Sequence, residues 1–185
     1  MKLYRIFHYD VNANPRDPGG ALFIPPQGSG RVDNPHAYAV TYLADSEAGA
    51  CAEVFNRGKY RVQWSNEMLR PPRFAPTTVR AIAAFNVAED VPICDLDDPT
   101  ELTRQALRPS RVITRDYAIS QAWALRIFQS GAWHGVKWWS YHDARWLSVG
   151  IWDQGSLEHY DIEILTIDRP TLADAATVLS IPIVI

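Results

Sequence analysis

The chain has 185 residues, of which 47% are hydrophobic and 21% are charged, with a net charge of −3. These values are typical of one folded domain spanning residues 1–185 rather than of a disordered chain. The acidic balance argues against nucleic acid as the main partner, because binding a phosphate backbone requires a basic surface.

Residues 3–9, LYRIFHY, are rich in residue types that favour β-strands and predict the first strand of the fold. Arg5 lies inside this apolar run. It either faces solvent at the edge of a sheet or points at an anion in a cleft. The residues alone favour the solvated arginine, because charged side chains are rarely buried.

Residues 10–36 predict a long loop, because they contain five prolines and several glycines, with residues 21–25 as one short extended piece. A loop of this length in a compact domain is usually functional or disordered. The GSGR run at residues 28–31 is not a phosphate-binding loop, because it lacks the Gly-Lys-Ser/Thr ending. It places Arg31 shortly before a predicted strand at residues 38–43, which contains Tyr42.

Residues 47–55 predict a short helix that Ser46 or the residue before it caps. Gly49 and Ala50 precede Glu53 by four and three positions, so they share its face of the helix. We expect this strip of small residues to leave room for a ligand or another backbone beside the carboxylate, although an arbitrary glutamate on a helix is usually solvated.

The rest of the chain alternates predicted strands with predicted helices. Strands are predicted at residues 79–87, 91–95, 135–140, 146–152 and 159–167, and the C-terminal IPIVI is a strand or a packed tail. Helices are predicted from residue 97, over residues 114–128 and within residues 168–179. Antiparallel hairpins mixed with a few helices predict an α+β fold.

The histidines and cysteines lack the spacing of a metal site. The five histidines match neither HExxH nor a comparable pattern, and we interpret them as scattered surface residues. We interpret Cys51 and Cys94 as small buried residues, and leave a disulfide between them open. The GxSxG motif of hydrolases and the GxGxxG motif of dinucleotide-binding folds are also absent from the sequence.

Five of the seven tryptophans lie between residues 133 and 152, and we interpret most of them as core residues rather than as a ligand platform. Ser140 ends the predicted strand that carries two of them, where its hydroxyl could point into a cleft. The residues alone therefore predict an α+β domain in which Arg31, Tyr42, Glu53 and Ser140 could line a pocket for an anionic ligand.

Several short motifs, by their order and spacing, resemble the RES domain family, which is named for its arginine, glutamate and serine. They are Tyr4-Arg5, GRVDNP at residues 30–35, YLADS at residues 42–46, Glu53, SQAWA at residues 120–124 and GVKWWS at residues 135–140. The resemblance covers nearly the whole chain. The chain departs from many family members directly after the motif arginine, because it has Val32 where an aromatic residue is common. This difference could alter how the loop packs.

The resemblance implies a fold similar to ADP-ribosyltransferase toxins and an enzyme that consumes NAD without a metal. Such enzymes are usually toxins paired with a small helical antitoxin of the Xre type. In the implied site, Glu53 holds the ribose and stabilises the positive charge that develops as the nicotinamide–ribose bond breaks. Arg31, with Arg5 as a second arginine, grips the pyrophosphate. Tyr42 orients the nicotinamide ring, and Ser140 hydrogen-bonds the ribose or the nicotinamide amide.

The sequence leaves alternatives open. NAD could be cleaved by phosphorolysis or by hydrolysis, or ADP-ribose could be transferred to a protein target. A domain that binds a nucleotide or a partner without turnover is a third alternative, and a homo-oligomer also stays open. The sequence has neither a signal-peptide pattern nor an apolar run long enough to span a membrane. We therefore expect a cytoplasmic protein that does not bind a membrane.

Overall fold

The architecture is a large β-sheet with helices packed on it. The computed structural model describes residues 1–73, 75–157 and 159–184. The strands are β1 (Lys2–Tyr9), β2 (Thr41–Ala44), β3 (Trp64–Ser65), β4 (Val79–Asn86), β5 (Ile93–Asp95), β6 (Gly135–Trp139), β7 (Leu147–Ile151), β8 (Tyr160–Ile164) and β9 (Ile183–Val184). Strands β3 and β9 form a separate parallel pair, so part of the C-terminal IPIVI run is a strand.

The other strands form one sheet with the order β5-β6-β7-β2-β1-β4-β8. Neighbouring strands are antiparallel except for β5 and β6, which are parallel. A largely antiparallel sheet with a few helices packed on it confirms the predicted α+β class.

Strands β1 and β2 are neighbours in the sheet, but they pair at a single position. The register of β1 with β4 extends over its whole length, whereas its register with β2 is limited to Tyr4 opposite Ala44. Strand β2 pairs along its whole length with β7 instead. The two strands therefore diverge beyond Tyr4 and Ala44, and the sheet opens between them.

The helices begin where the sequence supplies capping residues. They are α1 (Glu47–Phe55), α2 (Pro99–Arg104), α3 (Pro109–Val112), α4 (Tyr117–Gln129) and α5 (Pro170–Leu179), with short 3₁₀ helices at Gly58–Arg61, Asn66–Leu69 and Gln154–Leu157. The Ser46 side chain accepts a hydrogen bond from Gly49 N at the start of α1, as a good N-cap does. Asp116 caps α4 in the same way.

Three clusters of buried side chains form the core. The cluster around α1 and α5 includes Cys51, Phe55, Leu172 and Ala176, the second includes Leu3, Phe7, Phe85 and Leu157, and the cluster around α4 includes Val32, Trp123, Ile127 and Trp138. Trp138 and Trp146 are buried, and the other tryptophans of residues 133–152 pack against the core, as predicted. Both cysteines are buried and free.

Two predicted extended segments differ from the structure. The strand predicted at residues 38–43 begins only at Thr41, because Tyr38 turns back to form an isolated bridge with Asn34. Residues 21–25, predicted as one short extended piece of the loop, begin in a turn in which Phe23 N donates to Gly20 O. The carbonyls of Ala21 and Phe23 accept hydrogen bonds from the Arg5 side chain. Within the described residues, no helix combines the length and the hydropathy needed to cross a membrane.

Candidate active site

A cleft of about 840 Å³ lies where β1 and β2 diverge. Arg5, Arg31, Tyr42 and Glu53, four of the five predicted site residues, line it together. The fifth, Ser140, is 3% exposed and lies behind Glu53, to which its hydroxyl donates a hydrogen bond. The cleft thus brings together residues from the first strand, the long loop, β2 and α1.

The cleft is strongly cationic although the chain is acidic overall. The described lining residues include five arginines, which are Arg5, Arg31, Arg57, Arg61 and Arg115. Glu53 is the one carboxylate among those described lining residues. Because the whole chain has a net charge of −3, this concentration of positive charge is local, and it favours an anionic ligand.

Gly30 and Arg31 line one side of the cleft and lie on a turn formed by residues 28–33. We call this turn, with the side chains of Tyr42, Ser120 and Gln121 that hold it, the arginine wall. Its centre is Asp33, which is only 5% exposed. One Asp33 oxygen accepts from Gly28 N and Gly30 N at 2.8 and 2.7 Å, and the other accepts from the Tyr42 hydroxyl at 2.7 Å. A carboxylate that accepts from three donors fixes the turn on which Arg31 stands.

Tyr42 packs closely against this turn. A Cβ atom at Gly30 would lie 2.5 Å from the Tyr42 hydroxyl oxygen, so only glycine leaves room for it. The same oxygen accepts from Val32 N at 3.0 Å. Burial, followed by the hydrogen bond to Asp33, raises the pKa of Tyr42 above its ordinary value. The hydroxyl therefore stays protonated and holds the turn, while Tyr42 also lines the cleft.

Helix α4 supports the arginine wall from its first turns. The Ser120 hydroxyl donates to Arg31 O at 2.6 Å, and Gln121 Nε2 donates to Gly30 O at 2.8 Å. Asn34 Nδ2 returns a hydrogen bond to Gln121 O at 3.0 Å. The backbone around Arg31 is therefore fixed by side chains that are distant in sequence.

The Arg31 guanidinium is held on one side only. Its Nη1 donates to the carbonyls of Val112 and Thr114 at 3.0 and 2.8 Å, and the group lies over the Tyr117 ring at 5.1 Å from its centroid. Neither Nε nor Nη2 hydrogen-bonds to a described residue. These two nitrogens form the side-on fork of the guanidinium, which matches the geometry of phosphate oxygens.

Glu53, Ser140, His142 and Ser148 form the second part, which we call the glutamate wall. Oε1 of Glu53 accepts from the Ser140 hydroxyl at 2.6 Å and from the Ser148 hydroxyl at 3.2 Å. The Ser140 oxygen also accepts from His142 N at 3.1 Å, so its own proton points to Glu53. Both serines are buried, whereas the Glu53 side chain is 39% exposed, so Oε2 is the oxygen left for a ligand.

His142 corrects the interpretation of the histidines as surface residues. Its side chain is 13% exposed and lines the cleft, with Nε2 at 3.8 Å from Glu53 Oε2. His8 is also half-buried, whereas the other three histidines are exposed. Sequence spacing missed His142 because its partners, Glu53 and Asn56, lie on α1 and at its end, more than eighty residues earlier in the chain.

Arg5 corrects a second expectation, because it is not a solvated edge residue. Strand β1 lies inside the sheet between β2 and β4. The Arg5 guanidinium donates from Nη1 to Ala21 O at 2.6 Å and from Nη2 to Phe23 O at 2.7 Å, and thereby attaches the long loop to the sheet. Burial lowers the pKa of Arg5 to about 10, so the group still carries its charge at neutral pH.

A family model described as the RES domain matches residues 2–172 of the chain. The chain belongs to the RES domain family. A search of curated proteins found no match. Among solved structures, the fold is similar to a chain of the M. tuberculosis MbcT–MbcA toxin–antitoxin complex, with a TM-score of 0.61 and 19% sequence identity. The similarity covers 97% of this chain and 88% of that one, and at this identity it shows a shared fold.

The RES motif segments have separate structural tasks in this chain. Arg31 and Glu53 line the cleft, and Ser140 holds Glu53. Asp33, in the same motif as Arg31, fixes the arginine turn, and Ser120 supports it from α4. In this chain the segments thus supply both groups that face the cleft and the hydrogen bonds that orient them.

The small residues on α1 leave less room than the sequence predicts. Ala50 lines the cleft, as expected for a residue beside Glu53. Gly49 does not, because a Cβ atom there would lie 3.3 Å from Trp146 Cβ and the space is already filled.

Several further cleft residues were not predicted. They are Arg57, Arg61, Arg115, His142 and Ser148. Asp33, which holds the turn behind the cleft, was not predicted either. A signal was available for His142, because it follows Ser140 by two positions in a polar turn, the spacing at which a serine side chain accepts from a backbone N–H. Within the described ranges, no group of three or more histidine, cysteine or acidic side chains could hold a metal ion.

Proposed function

We propose that the cleft binds NAD and cleaves its nicotinamide–ribose bond, and that the protein acts as the toxin of a toxin–antitoxin pair. One observation carries the proposal. A carboxylate, Glu53, has one oxygen fixed by two serine hydroxyls and the other open to a cleft that collects five arginines. A dinucleotide offers a dianionic pyrophosphate to the arginines and a ribose to the carboxylate.

The pyrophosphate would bind at the arginine wall. Arg31 is the best candidate, because its Nε and Nη2 are left over after Nη1 bonds to two backbone carbonyls. Two parallel charge-assisted hydrogen bonds from one guanidinium are stronger and more directional than the contact of a lysine. Arg5 contributes positive charge, but its Nη1 and Nη2 already bind backbone carbonyls, so its contribution is mainly electrostatic.

The ribose would bind at the glutamate wall. Breaking the bond between nicotinamide and ribose builds positive charge on the sugar, as in other glycosidic cleavages. Glu53 Oε2 is placed to accept a hydrogen bond from a ribose hydroxyl and to stabilise that charge. Ser140 acts on the substrate through Glu53, because its hydroxyl donates to the carboxylate. Nicotinamide leaves with the bonding electron pair, and water or phosphate supplies the oxygen that replaces it.

The nicotinamide ring would lie near Tyr42 and Trp138. Both residues line the cleft, and their rings meet edge to face with centroids 6.4 Å apart. Aromatic faces and edges of this kind are suited to a flat heteroaromatic ring. Tyr42 would orient the ring by contact, since its hydroxyl is occupied by Asp33 and Val32.

Membership of the RES family and a fold shared with a chain of a toxin–antitoxin complex support the toxin role. The partner we propose is an antitoxin of the Xre type. Growth arrest on expression of the protein alone, relieved by an antitoxin encoded beside it, is the expected result. Growth at the normal rate with wild-type protein present would contradict the toxin role.

The activity itself is tested by incubating purified protein with NAD, in buffer with and without inorganic phosphate, and identifying the products. Nicotinamide with ADP-ribose indicates hydrolysis, and nicotinamide with a phosphorylated ADP-ribose that forms only when phosphate is present indicates phosphorolysis. Adenine-labelled NAD in a cell extract adds a third outcome, because label on a protein indicates ADP-ribosyl transfer. Binding of NAD without loss of NAD under all three conditions would contradict an enzymatic role.

A further inference from the structure

Three contacts fix His142 in the cleft and leave free the edge of its ring that faces Glu53. Its backbone N–H donates to the Ser140 hydroxyl at 3.1 Å, and its Nδ1 lies 3.2 Å from Asn56 Nδ2. The Tyr141 ring also packs edge to face against the imidazole, with centroids 5.8 Å apart. The ring is therefore held from its backbone, its Nδ1 edge and one side.

The contact with Asn56 determines which ring nitrogen carries the proton. An amide nitrogen donates hydrogen bonds and cannot accept them, so Nδ1 of His142 must be the acceptor. A neutral imidazole that accepts at Nδ1 carries its proton on Nε2. Asn56, the residue that ends α1, thus directs an N–H group of His142 towards Glu53.

The distance between the two side chains leaves a space of defined size. Nε2 of His142 and Oε2 of Glu53 are 3.8 Å apart, which is too far for a direct hydrogen bond. One oxygen atom can lie within about 2.8 Å of both, at normal hydrogen-bond length. That oxygen must accept from His142 and donate to Glu53, because Nε2–H is a donor and a carboxylate oxygen is an acceptor. A hydroxyl group does both.

We propose that His142 and Glu53 together bind a single hydroxyl group of the ligand, with His142 as a substrate-binding residue and Asn56 as the residue that positions it. The inference rests on the proposed function, under which the hydroxyl belongs to the nicotinamide ribose. A hydroxyl held in this way has its proton directed at Glu53 Oε2, so the carboxylate is kept beside the sugar on which positive charge develops.

The test is a thermodynamic cycle in which the imidazole is removed from the protein, the hydroxyl is removed from the substrate, and then both are removed together. His142→Ala and wild-type protein are assayed with NAD and with NAD analogues that lack the 2′- or the 3′-hydroxyl of the nicotinamide ribose. We expect His142→Ala to lower kcat/KM for NAD about tenfold, as the loss of a good hydrogen bond does. On the analogue that lacks the bound hydroxyl, the same substitution should change kcat/KM less than about twofold, because the partner is already gone.

Two further variants separate binding from folding. His142→Gln keeps an N–H donor at a similar reach and should recover part of the loss on NAD, whereas His159→Ala changes an exposed histidine and should leave all substrates unaffected. Equal losses on NAD and on both deoxy analogues would overturn the inference and make His142 a structural residue only. If wild-type protein releases no nicotinamide at all, the proposed function fails first, so the two failures are distinguishable.

Discussion

The arginine wall and the glutamate wall of the cleft are built in different ways. The turn that carries Arg31 depends on backbone hydrogen bonds to a buried carboxylate, Asp33, and on support from α4. Glu53 lies on the exposed side of a capped helix and is oriented by side-chain hydroxyls alone. The carboxylate at the centre of the arginine wall is therefore buried, whereas the carboxylate of the glutamate wall is partly exposed.

This difference predicts how substitutions separate into two kinds. Changes in the glutamate wall should reduce activity with little loss of stability, because among the described residues only the Ser140 and Ser148 hydroxyls donate to the Glu53 carboxylate. Changes in the arginine wall should reduce both together, because removing a buried acceptor costs the free energy of its unpaired donors.

The largest effect is expected for Glu53→Gln. Replacing the carboxylate by an amide removes the negative charge that faces the developing cation, so kcat for NAD should fall about a hundredfold or more. The Tm should stay within about 2 °C of the wild-type value, because the side chain is partly exposed. Product formation and thermal unfolding measure the two quantities, with the exposed Glu89→Gln as the control. A large drop in Tm would show that both walls belong to the core.

Asp33→Asn tests the arginine wall. The amide keeps one oxygen, so its NH₂ group would face either Gly28 N and Gly30 N or the Tyr42 hydroxyl, donors that now meet a carboxylate oxygen. We expect the free energy of unfolding to fall by about 2 kcal/mol and KM for NAD to rise. Denaturant unfolding and steady-state kinetics measure these changes, and the exposed Asp97→Asn provides a matched control. A rise in KM at unchanged stability would argue that the turn folds independently of Asp33.

The two serines of the glutamate wall should differ from each other. Ser140 donates to Glu53 at 2.6 Å and also accepts from His142 N, whereas Ser148 makes one longer contact of 3.2 Å. We expect Ser140→Ala to lower kcat about tenfold, or by about 1.4 kcal/mol, and Ser148→Ala only about twofold, or by about 0.4 kcal/mol, because the shorter hydrogen bond to the carboxylate is the stronger one. The kcat values of the two variants, measured side by side, decide this. Equal losses would mean that Ser140 has no special role in orienting Glu53.

The smallest effect concerns pH and lies outside both walls. Burial, followed by the charges of Arg80 and Arg57, lowers the pKa of His8 to about 4. In the unfolded chain His8 gains a proton near its ordinary pKa of about 6.5, whereas in the folded protein it stays neutral until the pH approaches about 4. The contribution of neutral His8 to the free energy of unfolding is therefore fully present above about pH 6.5 and is lost as the pH falls towards about 4. The Tm of wild-type protein should therefore fall more between about pH 7 and about pH 5 than that of His8→Gln. The exposed His159→Gln is the control and should follow the wild-type curve. Parallel curves of Tm against pH for wild-type protein and His8→Gln would show that His8 does not titrate in this window.

The sequence predicts the elements well wherever the signals are local. The helix at Glu47–Phe55 follows from the Ser46 cap and from buried positions such as Cys51 and Phe55. The strands around Trp138 and Val149 follow from runs of β-branched and aromatic residues separated by a polar turn. In these cases the residues that determine the structure are within a few positions of one another.

The site is less predictable because its contacts are distant in sequence. Arg5 was expected to be solvated, since nothing near it indicates that the carbonyls of Ala21 and Phe23 lie over it. His142 was expected at the surface for the same reason, because its partners are Asn56 and Glu53. Family resemblance predicted four residues that line the cleft, namely Arg5, Arg31, Tyr42 and Glu53. It could not assign their hydrogen bonds, which depend on how β1 and β2 diverge.

The central claim is that the cleft breaks the bond between nicotinamide and ribose. It is tested most directly by incubating wild-type protein with NAD and measuring, in the same sample, the NAD lost and the nicotinamide formed. The account predicts one nicotinamide for every NAD consumed, with the adenosine and pyrophosphate part recovered intact. Loss of NAD without nicotinamide, as in cleavage at the pyrophosphate, or no loss of NAD at all, would contradict it.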